Sequence, residues 1–185
     1  MDELIDIVDA QGNPTGQSEL KSVIHTKGLY HHTAHIWFYT AEGDILLSQR
    51  SAEKAICPLM WDVSVAGHID AGESPEQGAI RETLEEISLS ISETALNKIG
   101  VFECFQDYDS GIKDYEFHNT FIAELKVALS ELVPQQGEVE ALKLVTVNEF
   151  QHLINTIGNN GNHFVPSNKE YYEFVLQNII QISKS

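Results

Sequence analysis

Positive charge is scarce in this chain. Only 11 Lys and Arg residues face 28 Asp and Glu residues, which gives a formal net charge of −17 over 185 residues. Just two of the basic residues are arginines, Arg50 and Arg81. This deficit argues against a nucleic-acid binder that neutralises phosphates with a basic face, and against adsorption to an anionic membrane. If the substrate carries phosphate, a metal ion is therefore the expected source of positive charge.

Cysteines and long apolar runs are also few. Cys57 and Cys104 lack CxxC spacing and are too few for a disulfide scaffold, so we expect reduced thiols, although a single bridge stays open. No stretch approaches the roughly 20 apolar residues of a membrane span. The N-terminus, Met1-Asp2-Glu3, is acidic where a secretory signal is basic. The sequence therefore predicts one cytoplasmic globular domain over residues 1–185.

Apolar, β-forming stretches recur along the chain. They predict strands at 4–8, 34–39, 45–47, 61–66, 117–123 and 141–147, with a hairpin turn at 41–44. In the fourth stretch Trp61, Val63 and Val65 alternate with Asp62 and Ser64, which predicts one buried side and one solvent-facing side.

Three capping-box patterns predict helix starts, at 74–77, 146–149 and 167–170. The last of these opens a C-terminal helix over 167–185. Its apolar stripe comprises Tyr172, Val175, Leu176 and Ile179. Strands and hairpins mixed with single helices indicate an α/β fold, with helices on the faces of a mixed sheet.

The helix that begins near residue 75 has two contrasting sides. On a helical wheel Ile80, Leu84 and Ile87 form an apolar stripe, which we expect to face the core. Three carboxylates share the opposite side: Glu82, Glu85 and Glu86. We therefore expect these carboxylates to point away from the core.

The charge of this acidic face is poorly balanced. Glu82 and Glu86, at i and i+4, repel each other by about 0.2–0.5 kcal/mol. Arg81 is the only Lys or Arg between residues 55 and 97. A solvated acidic face is the alternative, but such faces normally intersperse lysine. The pattern favours a hard divalent cation such as Mg²⁺, which prefers oxygen ligands and leaves coordination positions for phosphates.

Segment 67–89 resembles the signature of the Nudix hydrolases, the Nudix box. That box has a glycine, five residues, a glutamate, seven residues and an Arg-Glu-x-x-Glu-Glu run. The matching residues are Gly67, Glu73, Arg81, Glu82, Glu85 and Glu86. Two positions depart from the pattern: Thr83 replaces an aliphatic residue, and Ser88 replaces a final glycine that tolerates a left-handed turn more easily. The resemblance implies a Nudix-type α/β/α sandwich with a mixed sheet.

The same resemblance implies roles for the box residues. Those that would bind Mg²⁺ or Mn²⁺ are Glu82, Glu85 and Glu86. One of them would instead deprotonate the attacking water, and Glu82, Glu85 and Arg81 are the catalytic candidates. Arg81 would orient the carboxylates through its contact with Glu85, while Gly67 and Glu73 would shape the preceding loop. The metal would polarise a diphosphate oxygen and stabilise the departing phosphate.

Residues from Ile7 to about Ala123 also resemble the isopentenyl-diphosphate isomerases, which share the Nudix fold. That branch implies an N-terminal strand and helix extension over residues 1–30. It also implies a second metal site whose ligands would be His25, His31, His68, Asp114 and Glu116. Mixed imidazole and carboxylate ligands suit a transition ion such as Mn²⁺ or Zn²⁺. A shifted alignment would put His32 or His35 in place of His31, and Glu116 could serve as a general base instead of a ligand.

One residue argues against isomerisation. The isomerases carry a catalytic cysteine immediately before the Gly-His pair, where this chain has Ala66, which cannot donate or remove a proton. The sequence thus predicts metal-dependent hydrolysis of a small-molecule diphosphate. The alternatives are isopentenyl-diphosphate isomerase and a non-catalytic metal- or ligand-binding Nudix module. The organic group on the diphosphate and the oligomeric state stay open.

Overall fold

The computed structural model describes residues 2–159, 164–165 and 168–183. Its strands are β1 (Leu4–Val8), β2 (Pro14–Leu20), β3 (His31–Tyr39), β4 (Ile45–Arg50), β5 (Trp61–Asp62), β6 (Val65–His68), β7 (Asn97–Asp107), β8 (Lys113–Glu124) and β9 (Val139–Val145). The α-helices are α1 (Lys21–Lys27), α2 (Pro75–Ile87), α3 (Val147–Asn155) and α4 (Lys169–Ile182).

The described strands form one mixed sheet centred on β3. This strand pairs antiparallel with β1, β4 and β6, and parallel with β8. The parallel register puts His31 opposite Glu116 and Thr33 opposite His118. Strand β7 continues the sheet beyond β8, and Cys104 lies opposite Glu116. Three strands therefore bring polar residues to the same region of one sheet face, because side chains directly opposite each other point the same way.

Apolar layers cover both faces of the sheet. On one face α2 packs Ala79 and Ile87 against Ile36 of β3, and on the other α4 packs Tyr172 against Trp37. The predicted α/β class and the layering of helices on a mixed sheet are confirmed. The N-terminal extension consists of the β1–β2 hairpin and α1, and α1 contacts β8 beside the polar region.

Most predicted elements are confirmed, but the strand predicted at 141–147 ends at Val145, because Thr146 caps α3 and Val147 begins it. Segment 61–66 is not one strand. It divides into β5 and β6, and Ser64, predicted to face solvent, is fully buried. The Ser64 hydroxyl donates to the Leu46 carbonyl and accepts from the Phe38 amide. These hydrogen bonds satisfy the hydroxyl inside the core and override the alternation of polar and apolar residues.

Both capping boxes at Ser74 and Thr146 are present. The helix predicted from the third pattern is α4. Its N-cap is Asn168, one residue after the predicted cap Ser167, which lies outside the described residues. The predicted apolar stripe of this helix is buried.

The predicted core face of α2 is wrong in part. Leu84 is 51% exposed, whereas Glu82 and Glu86 are only 8% and 9% exposed. The buried face consists of Gly78, Ala79, Glu82, Thr83, Glu86 and Ile87. Small side chains on this face let the helix approach the sheet closely, which turns two carboxylates toward β6 and leaves Leu84 outside.

The two departures from the Nudix box are both accommodated. Ser88 adopts the left-handed conformation itself, with φ 56° and ψ 31°, and caps α2. Thr83 is fully buried and donates its hydroxyl to the Ala79 carbonyl at 2.7 Å, so its polar group has a partner inside the helix.

Candidate metal and active site

Gly67 allows α2 to sit against β6. A Cβ atom built on Gly67 would overlap the carboxyl group of Glu82. The missing side chain therefore makes room for this carboxylate, so the glycine that begins the box has a steric function at the site itself.

Arg81 links the box to the loop before it. Its guanidinium donates to Glu73 at 2.9 Å, to Glu82 at 2.8 Å and to the His68 carbonyl at 2.8 Å. The predicted contact with Glu85 is present at 3.4 Å, but Glu85 is half exposed. Arg81 thus contacts chiefly Glu73 and Glu82, and the contact with Glu85 from which its role was predicted is the longer one.

Glu86 is a buried carboxylate with little compensation. It accepts a 3.4 Å hydrogen bond from the Ala66 amide, and none of its hydrogen bonds within the described chain comes from a cationic side chain. Burial, reinforced by the negative charge of Glu82, raises the pKa of Glu86 to about 8. Burial also raises the pKa of Glu82, although Arg81 opposes that shift. Two neighbouring buried carboxylates, of which only Glu82 is paired with an arginine, fit a divalent cation, which would supply the missing positive charge.

Three imidazoles from α1, β3 and β6 converge. The rings of His25, His31 and His68 have centroids 5.2–5.3 Å apart, and the Nε2 atoms of His25 and His68 are 3.1 Å apart. Asp114 lies 2.9 Å from His25 Nδ1, and Glu116 Oε1 lies 3.6 Å from His31 Nε2 and 3.9 Å from His68 Nε2. We call these five residues the histidine centre. The three predicted histidines and Glu116 therefore face one another, whereas Asp114 contacts His25 through Nδ1, the ring nitrogen that is not directed at His68.

The orientation of His31 fits a bound cation. Its Nδ1 lies 2.9 Å from the Leu29 carbonyl, to which it must donate, so in the neutral form of the ring the lone pair is on Nε2. Nε2 is buried and makes no hydrogen bond to any described residue, and it faces the carboxylate oxygen of Glu116. Two electron-pair donors that face each other without a hydrogen atom between them fit a metal ion.

His32 and His35 do not belong to the histidine centre. His32 uses both ring nitrogens in hydrogen bonds, to the Gly12 carbonyl and to the Asn119 side-chain amide, which leaves no free ligand atom. His35 instead stacks on His118. The structure therefore favours His31 over both alternatives.

A second polar cluster consists of His35, Glu116 and His118. His118 Nε2 lies 2.9 Å from Glu116 Oε2. Burial lowers the pKa of His118, but hydrogen bonds with Cys104 and Glu116 outweigh burial and raise it to about 9. Glu116 and His118 are two residues apart on β8 and therefore lie on the same face of the sheet. Tyr171, which bonds His35, gave no sequence signal because its part in the cluster depends on the packing of α4.

A cavity of about 370 Å³ lies between β7, β8 and the start of α4. Its lining includes Phe102, Cys104, His118 and Tyr171. Both cysteines are free thiols, as predicted. Arg50 Nη1 lies 3.1 Å from Asp62 Oδ2 and forms an ion pair with it.

The model of the NUDIX domain matches residues 29–166 of this chain. The chain belongs to the Nudix family. The match covers the box and four residues of the histidine centre, while His25 precedes it in the N-terminal extension. Members of the family are hydrolases that act on pyrophosphate bonds. Among the described residues, no helix is long and apolar enough to cross a membrane.

The proteins similar to this chain include both Nudix hydrolases and isopentenyl-diphosphate isomerases. The chain is 32% identical over 158 residues to Nudix hydrolase 3 of Arabidopsis thaliana, a match that covers 83% of this chain and spans only 20% of that protein. It is 30% identical over 155 residues to isopentenyl-diphosphate Delta-isomerase 2 of Photorhabdus laumondii, over 84% of each chain. The crystal structure of a Deinococcus radiodurans protein shares the fold, with a TM-score of 0.69 and 17% identity, over 96% of this chain and 99% of that chain.

Proposed function

We propose that this Nudix protein hydrolyses the diphosphate linkage of a small organic diphosphate with the help of divalent cations. The observation that carries the proposal is the pair of buried carboxylates, Glu82 and Glu86, against β6. A buried carboxylate without a cationic partner is costly, and such an arrangement persists where an ion balances it.

The residues of the box would have different roles in this reaction. Glu82 and Glu86, with the more exposed Glu85, would hold Mg²⁺ or Mn²⁺. When bound, the ion supplies the positive charge that a diphosphate needs and makes a water molecule easier to deprotonate. Arg81 keeps Glu82 oriented through its 2.8 Å contact. One of the box carboxylates, or Glu116, accepts the proton of the attacking water.

The histidine centre would hold a second, transition-type ion such as Mn²⁺ or Zn²⁺. Imidazole nitrogens together with carboxylate oxygens form a donor set that suits these ions better than Mg²⁺. Strand β6 connects the two sites: its Ala66 amide contacts Glu86, Gly67 admits Glu82, and His68 belongs to the histidine centre.

Isomerisation of isopentenyl diphosphate is the second candidate. The observation in its favour is the complete histidine centre, together with the isomerase relatives. Against it stands Ala66, whose methyl group occupies the position of the thiol that the isomerases use. Because Ala66 lacks an ionisable group, we expect no isomerisation by the unmodified chain.

A panel of organic diphosphates tests these two functions. The protein, stripped of metal and resupplied with Mg²⁺ or Mn²⁺, is assayed for phosphate or monophosphate release, and isopentenyl diphosphate is assayed for allylic product. We expect release with at least one substrate. It should be lost in EDTA and fall at least about 100-fold in Glu86→Gln, since removal of a residue that merely supports a metal ligand costs about 10–100-fold.

The matched control is Glu93→Gln, the same substitution at an exposed position outside the site, which should keep full activity. Allylic product without phosphate release would refute hydrolysis in favour of isomerisation. Ligand binding without turnover of any substrate would favour a non-catalytic module.

A further inference from the structure

Glu116 lies between the two clusters of histidines. Its Oε1 atom faces His31 and His68, at 3.6 and 3.9 Å. Its Oε2 atom accepts a 2.9 Å hydrogen bond from His118 Nε2. The two oxygens of one carboxylate thus have different neighbours, and the bond to His118 determines how the other oxygen is presented to the histidine centre.

The geometry of the second cluster is not that of an ion site. The rings of His35 and His118 stack with centroids 3.8 Å apart and an interplanar angle of 24°. His35 Nδ1 is bonded to the Tyr171 hydroxyl at 2.9 Å, so this ring nitrogen is not free to bind an ion. His118 Nε2 is also already bonded to Glu116. This cluster is therefore arranged to support Glu116.

His118 is itself held from several sides. Cys104, opposite Glu116 on β7, lines the same cavity as His118, and His35 stacks on the face of the His118 ring. His35 Nδ1 in turn lies 2.9 Å from the Tyr171 hydroxyl, which accepts a 2.9 Å hydrogen bond from the indole of Trp37. A continuous set of contacts thus runs from the buried side of α4 to the carboxylate of Glu116.

Packing alone does not fix the His118 ring. His118 and Tyr171 both line the cavity beside α4, so the ring has free space on that side. The hydrogen bond to Glu116 and the contacts with Cys104 and His35 must then define its position. This distinguishes His118 from a histidine that simply fills the core.

We propose that His118 is a positioning residue that orients Glu116 toward His31 and His68, with His35 and Tyr171 keeping His118 in place. The inference rests on the proposed function to the extent that Glu116 serves as a ligand of the histidine centre. A residue that holds a metal ligand by a hydrogen bond typically changes metal affinity or activity by about 10–100-fold when it is removed.

Two substitutions separate the hydrogen bond from the packing. His118→Gln keeps an N–H donor near the position of Nε2 but loses the ring. His118→Phe keeps a ring that can stack on His35 but loses the donor. The measurements are the dissociation constant of Co²⁺ by calorimetry and the visible spectrum of the Co²⁺-loaded protein, which reports the ligand geometry without requiring turnover.

We expect His118→Phe to weaken Co²⁺ binding about 10–100-fold and to change the spectrum. For His118→Gln the dissociation constant of Co²⁺ should stay within about 3-fold of that of the unmodified protein, because this variant retains the hydrogen bond to Glu116. That bond is worth about 1 kcal/mol. The control His152→Gln, at an exposed histidine of α3, should change neither quantity. In a Glu116→Gln background, His118→Phe should have no further effect, because the two residues act through one interaction.

The proposal is overturned if His118→Phe binds Co²⁺ as the unmodified protein does, or if His118→Gln loses as much affinity as His118→Phe. Should His118→Phe fail to fold, Tyr171→Phe removes the hydroxyl that holds His35. It should weaken Co²⁺ binding about 2- to 10-fold, and unchanged binding would equally count against the proposal. Failure of the whole diphosphate panel would refute hydrolysis but leave the Co²⁺ measurements decisive for His118.

Discussion

Replacement of Gly67 by alanine tests how α2 and β6 fit together. A Cβ atom at this position would overlap the Glu82 carboxyl group, so either the carboxylate or the helix must move. Glu82 is nearly buried and bonded to Arg81 at 2.8 Å, which makes the movement costly. Overpacking of this kind costs about 1–3 kcal/mol. For a chain of this size that corresponds to a decrease in Tm of about 2–12 °C.

The control is Gly72→Ala, at the loop before α2. Nothing lies within 4 Å of a Cβ built on Gly72, but its φ is +84°, a conformation that L-residues rarely adopt. The cost there is about 1–2 kcal/mol from the backbone alone. Both variants should therefore lose similar stability, whereas only Gly67→Ala should weaken Mn²⁺ binding, because only that change displaces Glu82.

A double-mutant cycle decides whether the overlap is the cause. In a Glu82→Ala background the obstructing carboxylate is gone, and Gly67→Ala should become neutral or stabilising by about 0.5–1 kcal/mol, since glycine weakens a strand. Thermal and denaturant unfolding measure the four free energies. Additive effects of the two substitutions would refute the steric argument.

Three further predictions concern α2 and the metal sites. Leu84→Ala should lower the free energy of unfolding by less than about 1 kcal/mol, because Leu84 is half exposed. Ile87→Ala should lower it by about 2–5 kcal/mol, because Ile87 is fully buried. Equal costs would contradict the observed orientation of the helix. Ser88→Gly should raise the free energy of unfolding by up to about 1 kcal/mol, because it relieves a left-handed serine; a loss would mean that the Ser88 hydroxyl bond to the Val133 carbonyl outweighs that strain. Addition of Mn²⁺ at about 100 times its dissociation constant to metal-stripped protein should stabilise it by about 2.7 kcal/mol, which calorimetry would detect as a higher Tm; an unchanged Tm would contradict metal binding.

The helix starts and the box were accessible to sequence reasoning because both depend on short spacings. A capping box joins residues three apart, so Ser74 and Thr146 predict their helices directly. The spacing of Gly67, Arg81 and Glu82 is likewise local, and the structure brings these residues into contact.

The orientation of α2 was not accessible in the same way. A helical wheel ranks the sides of a helix by hydrophobicity, so the side that contains Leu84 was predicted to face the core. The side that faces the sheet is instead the one with small residues, Gly78 and Ala79, because they permit a closer approach. Of the two buried carboxylates on this side, Glu82 is paired with Arg81.

By itself the sequence determined the family, the α/β class and the residues of the two candidate metal sites, since short motifs with fixed spacing carry that information. The tertiary structure decided which histidines converge. It distinguished His31 from His32 because the hydrogen bonds of each ring leave only His31 a free lone pair. It also placed His118 and Tyr171 in the support of Glu116. That arrangement depends on the parallel pairing of β3 with β8 and on the packing of α4, long-range contacts that no local pattern encodes.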